Sequence, residues 1–147
     1  MKGMELAFEE AQKAFDEDEV PIGAALELNG KIIATGHNMT EQLKNGTKHA
    51  EMVCIERATE VIGDFRLTGS ILYITLEPCI MCAGALILSR VSKIVYACPD
   101  FRHGACGSII DVFAIDHPIH QIEVERVYFQ ERSAKLLKDF FKIKRSK

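Results

Sequence analysis

The chain has 147 residues, 48% of them hydrophobic, and a formal charge of −3. That size suits one domain, 1–147, around a single core that needs no disulfide staple. The charge argues against a generally basic nucleic-acid binder or an acidic tail protein, and no segment approaches the roughly 18 apolar residues that cross a membrane.

The elements follow from periodicity, in chain order. Residues 2–17 place Met4, Ala7, Phe8, Ala11, Ala14 and Phe15 on one helical stripe. The same stretch is acidic, with Glu5, Glu9, Glu10, Asp16, Glu17, Asp18 and Glu19. "IGAALEL" and "KIIATGH" read as paired strands across Asn29-Gly30, a strong two-residue turn signal. "HAEMVCIERATEVIG" reads as a helix that stops at Gly63. "SILYITL" is an apolar strand, ended by Pro78, and a helix follows over "CIMCAGALILSR". "KIVYAC" is the next strand. A Gly-containing loop, "DFRHGACGS", leads to a short helical piece over "IIDVFAI" and a strand near "IEVERVY". A basic final helix, about 130–145, closes the chain with Lys138, Lys142, Lys144 and Arg145 before Lys147. Strands joined by helices predict partly parallel pairing with helices on both faces, and the opening hairpin makes the sheet mixed.

Five cysteines accompany no apolar leader: "MKGMELAFEE" has an early lysine but no apolar run of seven. The expected compartment is the reducing cytoplasm, where clustered cysteines are metal ligands or catalytic groups more often than disulfides. Cys79 and Cys82 lie three apart on the first turn of a helix. His49 opens another helix about thirty residues upstream. Zinc takes Cys sulfur and His nitrogen, and a catalytic site keeps its fourth position for water. A structural site would need a fourth ligand from Cys54, Cys98, Cys106 or His103, but there is no second closely spaced pair. Cys54 falls on the apolar side of its helix and is expected to be a small buried hydrophobe. Cys98 and Cys106 receive no role.

Glu51 poses a geometric question, because residues two apart on a helix point about 200° away from each other. A helix-cap residue has non-helical dihedrals, so His49 and Glu51 can both reach one cavity. Zinc brings the pKa of a coordinated water to about 7, and a carboxylate beside that water can take its proton. The HxE and PCxxC pattern is an established signature of zinc nucleobase deaminases.

With "HAE" and "LEPCIMCAGALILSR", the chain resembles the cytidine-deaminase-like superfamily. "EVPIGA", "GHN", "FRL", "LYITLEPCIMCAGAL", "GACGS" and "DFFKIKR" extend the resemblance over nearly the whole chain, to the bacterial tRNA-specific adenosine deaminases. That resemblance implies a three-layer α/β/α fold around a five-stranded mixed sheet, and a homodimer with one zinc per subunit. It implies hydrolysis of adenosine to inosine at the wobble position of a tRNA anticodon stem-loop, typically that of an arginine tRNA. His49, Cys79 and Cys82 would bind zinc and Glu51 would shuttle protons. Asn38 would hydrogen-bond the flipped base, Ile22 would pack on it, and the backbone around Ala50 and Leu76–Pro78 would line the pocket. Asp100 would contact the ribose. Phe140, Phe141, Lys142, Lys144 and Arg145 would grip the stem-loop, so binding should weaken as salt rises. The chain departs from its relatives in "CPDFRHG": Pro99 replaces a basic residue and Arg102-His103 replace Lys-Thr.

Two rivals remain at this level. A deaminase of a free base or nucleotide (guanine, cytosine or a pyrimidine nucleotide) would share zinc and Glu51, yet it has no need of "FFKIKRSK". A non-catalytic RNA-binding subunit with structural zinc would lack the catalytic glutamate, which is present here.

Overall fold

A computed structural model describes residues 1–146; Lys147, the last charge of the basic tail, lies outside the described residues. Helix α1 spans Lys2–Asp16 and buries Met4, Ala7, Phe8, Ala11 and Ala14, the stripe read from periodicity. Strands β1 (Gly23–Leu28) and β2 (Lys31–His37) pair antiparallel. Asn29 and Gly30 both have positive φ, at 52° and 78°, which is the two-residue turn that matches strand twist. Helix α2 (Ala50–Ile62) ends at Gly63, whose left-handed φ of 70° lets its N–H reach Thr59 O. Strand β3 (Ile71–Ile74), helix α3 (Ile80–Leu88) and strand β4 (Lys93–Tyr96) follow. Strand β5 (Glu123–Arg126) and helix α4 (Gln130–Arg145) complete the chain.

The sheet order is β2-β1-β3-β4-β5. β1 runs antiparallel to β2 and β3, while β3, β4 and β5 are parallel, so the expected mixed five-stranded sheet is borne out. Alternation along the strands divides the core between two faces. Leu72, Ile74, Ile94 and Tyr96 pack with Ala50, Cys54 and Ala58 of α2 and Leu86 of α3. Tyr73, Val95 and Ala97 face the other way, onto Met4, Ala7 and Phe8 of α1 and Leu136 of α4. Two helices on each face give three layers. Among the described residues, no helix is long and apolar enough to cross a membrane.

One sequence expectation shrinks. The helical piece over "IIDVFAI" is only a 3-10 turn, Val112–Ala114. Ile109 and Ile110 are already committed to a turn in which both donate to Gly104 O, and the Asp111 carboxylate starts the 3-10 turn by accepting from Phe113 N.

Gly23 marks where α1 presses on β1. A Cβ there would overlap the backbone of Ala7 and Ala11, which cannot yield as a flexible side chain could. Gly23→Ala is expected to cost about 3 kcal/mol, near the upper end for overpacking, read as a fall in urea midpoint at unchanged slope. A loss below about 0.5 kcal/mol would mean that α1 can shift freely.

Candidate active site

Two helix N-termini meet beyond the carboxyl end of β3. His49 is the N-cap of α2, with φ −70° and ψ 160°, and Cys79 is the N-cap of α3, with φ −79° and ψ 175°. Both are extended rather than helical. That resolves the spacing problem posed by His49 and Glu51. The wheel does not apply to a cap, so His49 and the first-turn Glu51 both border one cavity of about 430 Å³.

His49 Nδ1 lies 3.6 Å from Cys79 Sγ and 3.6 Å from Cys82 Sγ. The three ligand atoms fall within 4.8 Å of one another. Zinc bound at about 2.3 Å to sulfur and 2.0–2.1 Å to nitrogen, at a tetrahedral angle, places S and N about 3.5–3.6 Å apart. The donor set therefore fits zinc. Among the described residues no fourth His, Cys, Asp or Glu joins the cluster, so the site has the three-ligand form of a catalytic centre.

The electrostatics suit a dication. The Cys79 thiol is lowered to about 3, chiefly by its hydrogen bond with Cys82 and then by His49. Cys82 is pushed up, first by sharing its proton with Cys79 and then by burial. Two thiols holding one proton between them invite a cation to displace it. The positive end of α3 favours the thiolate form in which Cys79 would hold the ion. Glu51 is 4% exposed, and burial is the main cause that raises its pKa to about 7. A carboxyl near neutrality can both take and return a proton.

Of the predicted pocket residues, Ile22, Leu76 and Asp100 line the cavity with His49, Glu51 and Cys79. Ala50 and Pro78 are not among the lining side chains. Each lies next in sequence to a ligand, and Pro78 O accepts from Ala105 N at 2.8 Å. Asn38 is not among the lining side chains either. Its backbone N–H bonds Ile22 O at 3.1 Å, and its side-chain amide reaches Glu19 Oε1 and Thr40 Oγ1, both at 3.4 Å. Cys54 is fully buried, with its thiol near Ala34 O at 3.7 Å and pushed up by burial, as expected of a core cysteine.

The basic helix is split. Phe140 is 5% exposed and packs edge-on against Phe15 and Phe141 at 5.8 and 5.4 Å. It fastens α4 to α1 and is buried in this structure. Phe141, Lys142 and Arg145 are exposed, and Lys144 pairs with Asp18 at 3.0 Å. Phe141, Lys144 and Arg145 share a shallow notch with Arg102, from the loop that carries Asp100.

Sequence reasoning missed three buried carboxylates, two of which it noted only as part of an acidic stretch. Glu10, on α1, accepts from His37 Nδ1 at 2.9 Å and Lys13 Nζ at 2.7 Å. His37 Nε2 also approaches Glu17 Oε2 to 2.6 Å, off the line of a hydrogen bond. Glu19 is fully buried and accepts from the backbone of Glu41 and Gln42 at 3.1 and 2.7 Å. Glu77 lines the cavity and holds the loop after β4. In sequence, only their position next to apolar runs could have flagged them.

The Glu10–His37 pair implies a pH dependence. The hydrogen bond to Glu10 is the largest cause raising His37 above 6.5. For Glu10, burial pushes upward, but the bonds from His37 and Lys13 outweigh it and the pKa falls below 4.5. His37 therefore adds stability that is complete below pH 6.5 and lost as pH rises through its folded pKa. Glu10's share is complete above pH 4.5 and lost as pH falls through its own. His37→Gln should cost about 3 kcal/mol at pH 6, the low end for breaking a buried pair, because Lys13 still serves Glu10. In denaturant titrations the variant should lack part of the wild-type decline above pH 6.5; parallel curves would remove His37 as its source.

Comparison with known proteins points the same way. Residues 1–98 match the family profile of the cytidine and deoxycytidylate deaminase zinc-binding region. The tRNA-specific adenosine deaminase of Bacillus subtilis is 43% identical over 144 residues, covering 98% of this chain and 89% of that one. The tRNA-specific adenosine deaminase of Aquifex aeolicus is 41% identical, covering 95% and 91%. A solved structure from work on A-to-I editing by tRNA:A34 deaminases at the wobble position superposes with a TM-score of 0.88 at 41% identity, covering 92% of this chain and 99% of that one. The guanine deaminase of Bacillus subtilis superposes less well, with a TM-score of 0.65 at 29% identity, covering 99% and 93%.

Proposed function

Because the chain belongs to the cytidine and deoxycytidylate deaminase family, and within it to the tRNA-specific adenosine deaminases, we propose a reading of its site residue by residue. The protein is a zinc-dependent hydrolase that converts adenosine to inosine at the wobble position of a tRNA anticodon. The observation that carries the chemistry is the spacing of His49, Cys79 and Cys82 beside the buried Glu51, at the floor of an open cavity. Identity of 43% over nearly the full chain supports the substrate.

His49, Cys79 and Cys82 would hold the zinc. When bound, the metal supplies a water activated for attack at neutral pH. Glu51 takes a proton from that water and delivers it to N1 of adenine as oxygen bonds to C6. C6 would become tetrahedral, and Glu51 would take the proton left on the new C6 hydroxyl and hand it to the amino nitrogen as the C6–N bond breaks and ammonia leaves. Adenosine and water thus become inosine and ammonia. The metal's charge favours the ionised form of Glu51 at the start. An anticodon loop is single-stranded, so its base can be splayed into the cavity at low cost.

Ile22 packs on the base and Asn38 hydrogen-bonds it. The backbone at Ala50 and Leu76–Pro78 closes the pocket, and Asp100 meets the ribose. Exposed Phe141, Lys142 and Arg145, with Lys144, contact the stem-loop. The arginine tRNA, a homodimer with one zinc per subunit, a cytoplasmic location and action of 1–147 as one domain complete the reading.

The test is one incubation of zinc-loaded protein with an anticodon stem-loop bearing adenosine at the wobble position, beside free adenosine, guanine, cytosine and a pyrimidine nucleotide. Inosine in the stem-loop alone is the expected result. Xanthine from guanine, with an untouched stem-loop, would keep zinc and Glu51 but replace the substrate.

A further inference from the structure

Glu77 stands between the metal ligands and the loop after β4, and the chemistry above leaves it unused. It is 3% exposed, it lines the cavity, and its own N–H bonds Cys98 O at 2.8 Å. Oε1 accepts from Asp100 N at 3.0 Å and from the Ser108 hydroxyl. Oε2 accepts from Cys106 N at 2.8 Å and Ser108 N at 3.2 Å. Gly104 lies so close that a Cβ would overlap the Glu77 carboxyl and the Asp100 carbonyl. Asp100 carries the order onward: its Oδ1 accepts from Arg102 N at 3.0 Å and His103 N at 3.3 Å. Both Asp100 and His103 border the cavity.

We propose that Glu77 is a positioning residue, whose carboxylate gathers the donors of the 100–108 loop and so fixes the cavity wall formed by Asp100 and His103. A carboxylate offers about four acceptor positions and no donor, and four donors converge on it here. Glutamine has nearly the same shape but would turn an NH2 group toward two of those donors. Glu77→Gln therefore frees half of the loop while leaving the volume filled. Residue 77 is thus read by its acceptor count rather than by its size. The functional side of this assignment rests on the stem-loop reading above; the anchoring side does not.

The experiment has two arms on zinc-loaded wild type, Glu77→Gln, Asp100→Ala and the double variant. Hydrogen exchange is followed at the amides of Asp100, Cys106 and Ser108, with zinc content measured in parallel. Steady-state kinetics are followed on the stem-loop. In Glu77→Gln, exchange should accelerate at least tenfold at the amides left facing the NH2 group, either Asp100 or Cys106 with Ser108, while α1 amides and zinc content stay as in wild type. KM should rise about tenfold with kcat within about twofold, and the double variant should have the KM of Glu77→Gln alone. Unchanged exchange would overturn the anchor. A lowered kcat at constant KM, or an effect that multiplies fully with that of Asp100→Ala, would overturn positioning through Asp100. If Glu77→Gln does not fold, Ser108→Ala removes only the Ser108 hydroxyl donor, and should move exchange at Asp100 and KM the same way by a smaller factor; no movement would again overturn the proposal. A wild type that leaves the stem-loop untouched would instead sink the substrate reading, with the exchange arm still deciding the anchor.

Discussion

Replacing Glu51 by alanine is expected to lower kcat by about 10⁴-fold, the upper end for a general acid–base group, because one carboxylate serves every proton transfer of the reaction. The side chain is 4% exposed, so bulk water cannot take its place. Burial holds its pKa at about 7, and a zinc ion beside it would favour the ionised form at the start. Fold and zinc content should survive. Glu51 is not one of the three ligand residues, and removing a buried carboxylate relieves a desolvation cost. Measured quantities are single-turnover inosine formation, zinc per chain and Tm. Glu51→Gln should lose turnover to a similar degree, which separates proton transfer from packing. Activity within tenfold of wild type in either variant would remove Glu51 from the proton path.

Cys82→Ala is expected to abolish zinc binding and, with it, all detectable turnover. The remaining His49 and Cys79 leave a two-ligand site, below what zinc requires of a protein. The chain should still fold, because the two core clusters on either face of the sheet do not depend on the metal. Far-UV circular dichroism should be retained, with a lower Tm, since zinc stabilises the native state by binding it. A chelator should bring wild type to the same condition, and added zinc should restore wild type but not the variant. A variant that kept stoichiometric zinc after dialysis would show that Cys82 is not a ligand.

Much of this site was legible because its signals are short-range. Asn29-Gly30 declares a hairpin, the stripe of α1 declares its buried side, and two metal ligands are only three residues apart. Even the pairing of His49 with Glu51 follows from the dihedrals of a helix cap, which is local chemistry. The surroundings of Phe140, by contrast, are not local. Next to Phe141 and a run of lysines it reads as part of a nucleic-acid grip, and nothing nearby reveals that Phe15, 125 residues earlier, covers it.

The sequence by itself determined the periodic elements and the turn between the first two strands, since each depends on residues within a few positions of one another, and it pointed to the ligand set and Glu51 through two short motifs 30 residues apart. Only the tertiary structure decided which acidic residues are solvated and which are buried. Glu5 and Glu10 look alike on α1, yet Glu10 meets His37 across 27 residues of chain. Glu77 reaches donors 23 to 31 residues away, and Glu19 reaches donors 22 and 23 away. A carboxylate's burial is set by the donors that replace its water, and those arrive from strands and loops whose placement no local pattern encodes.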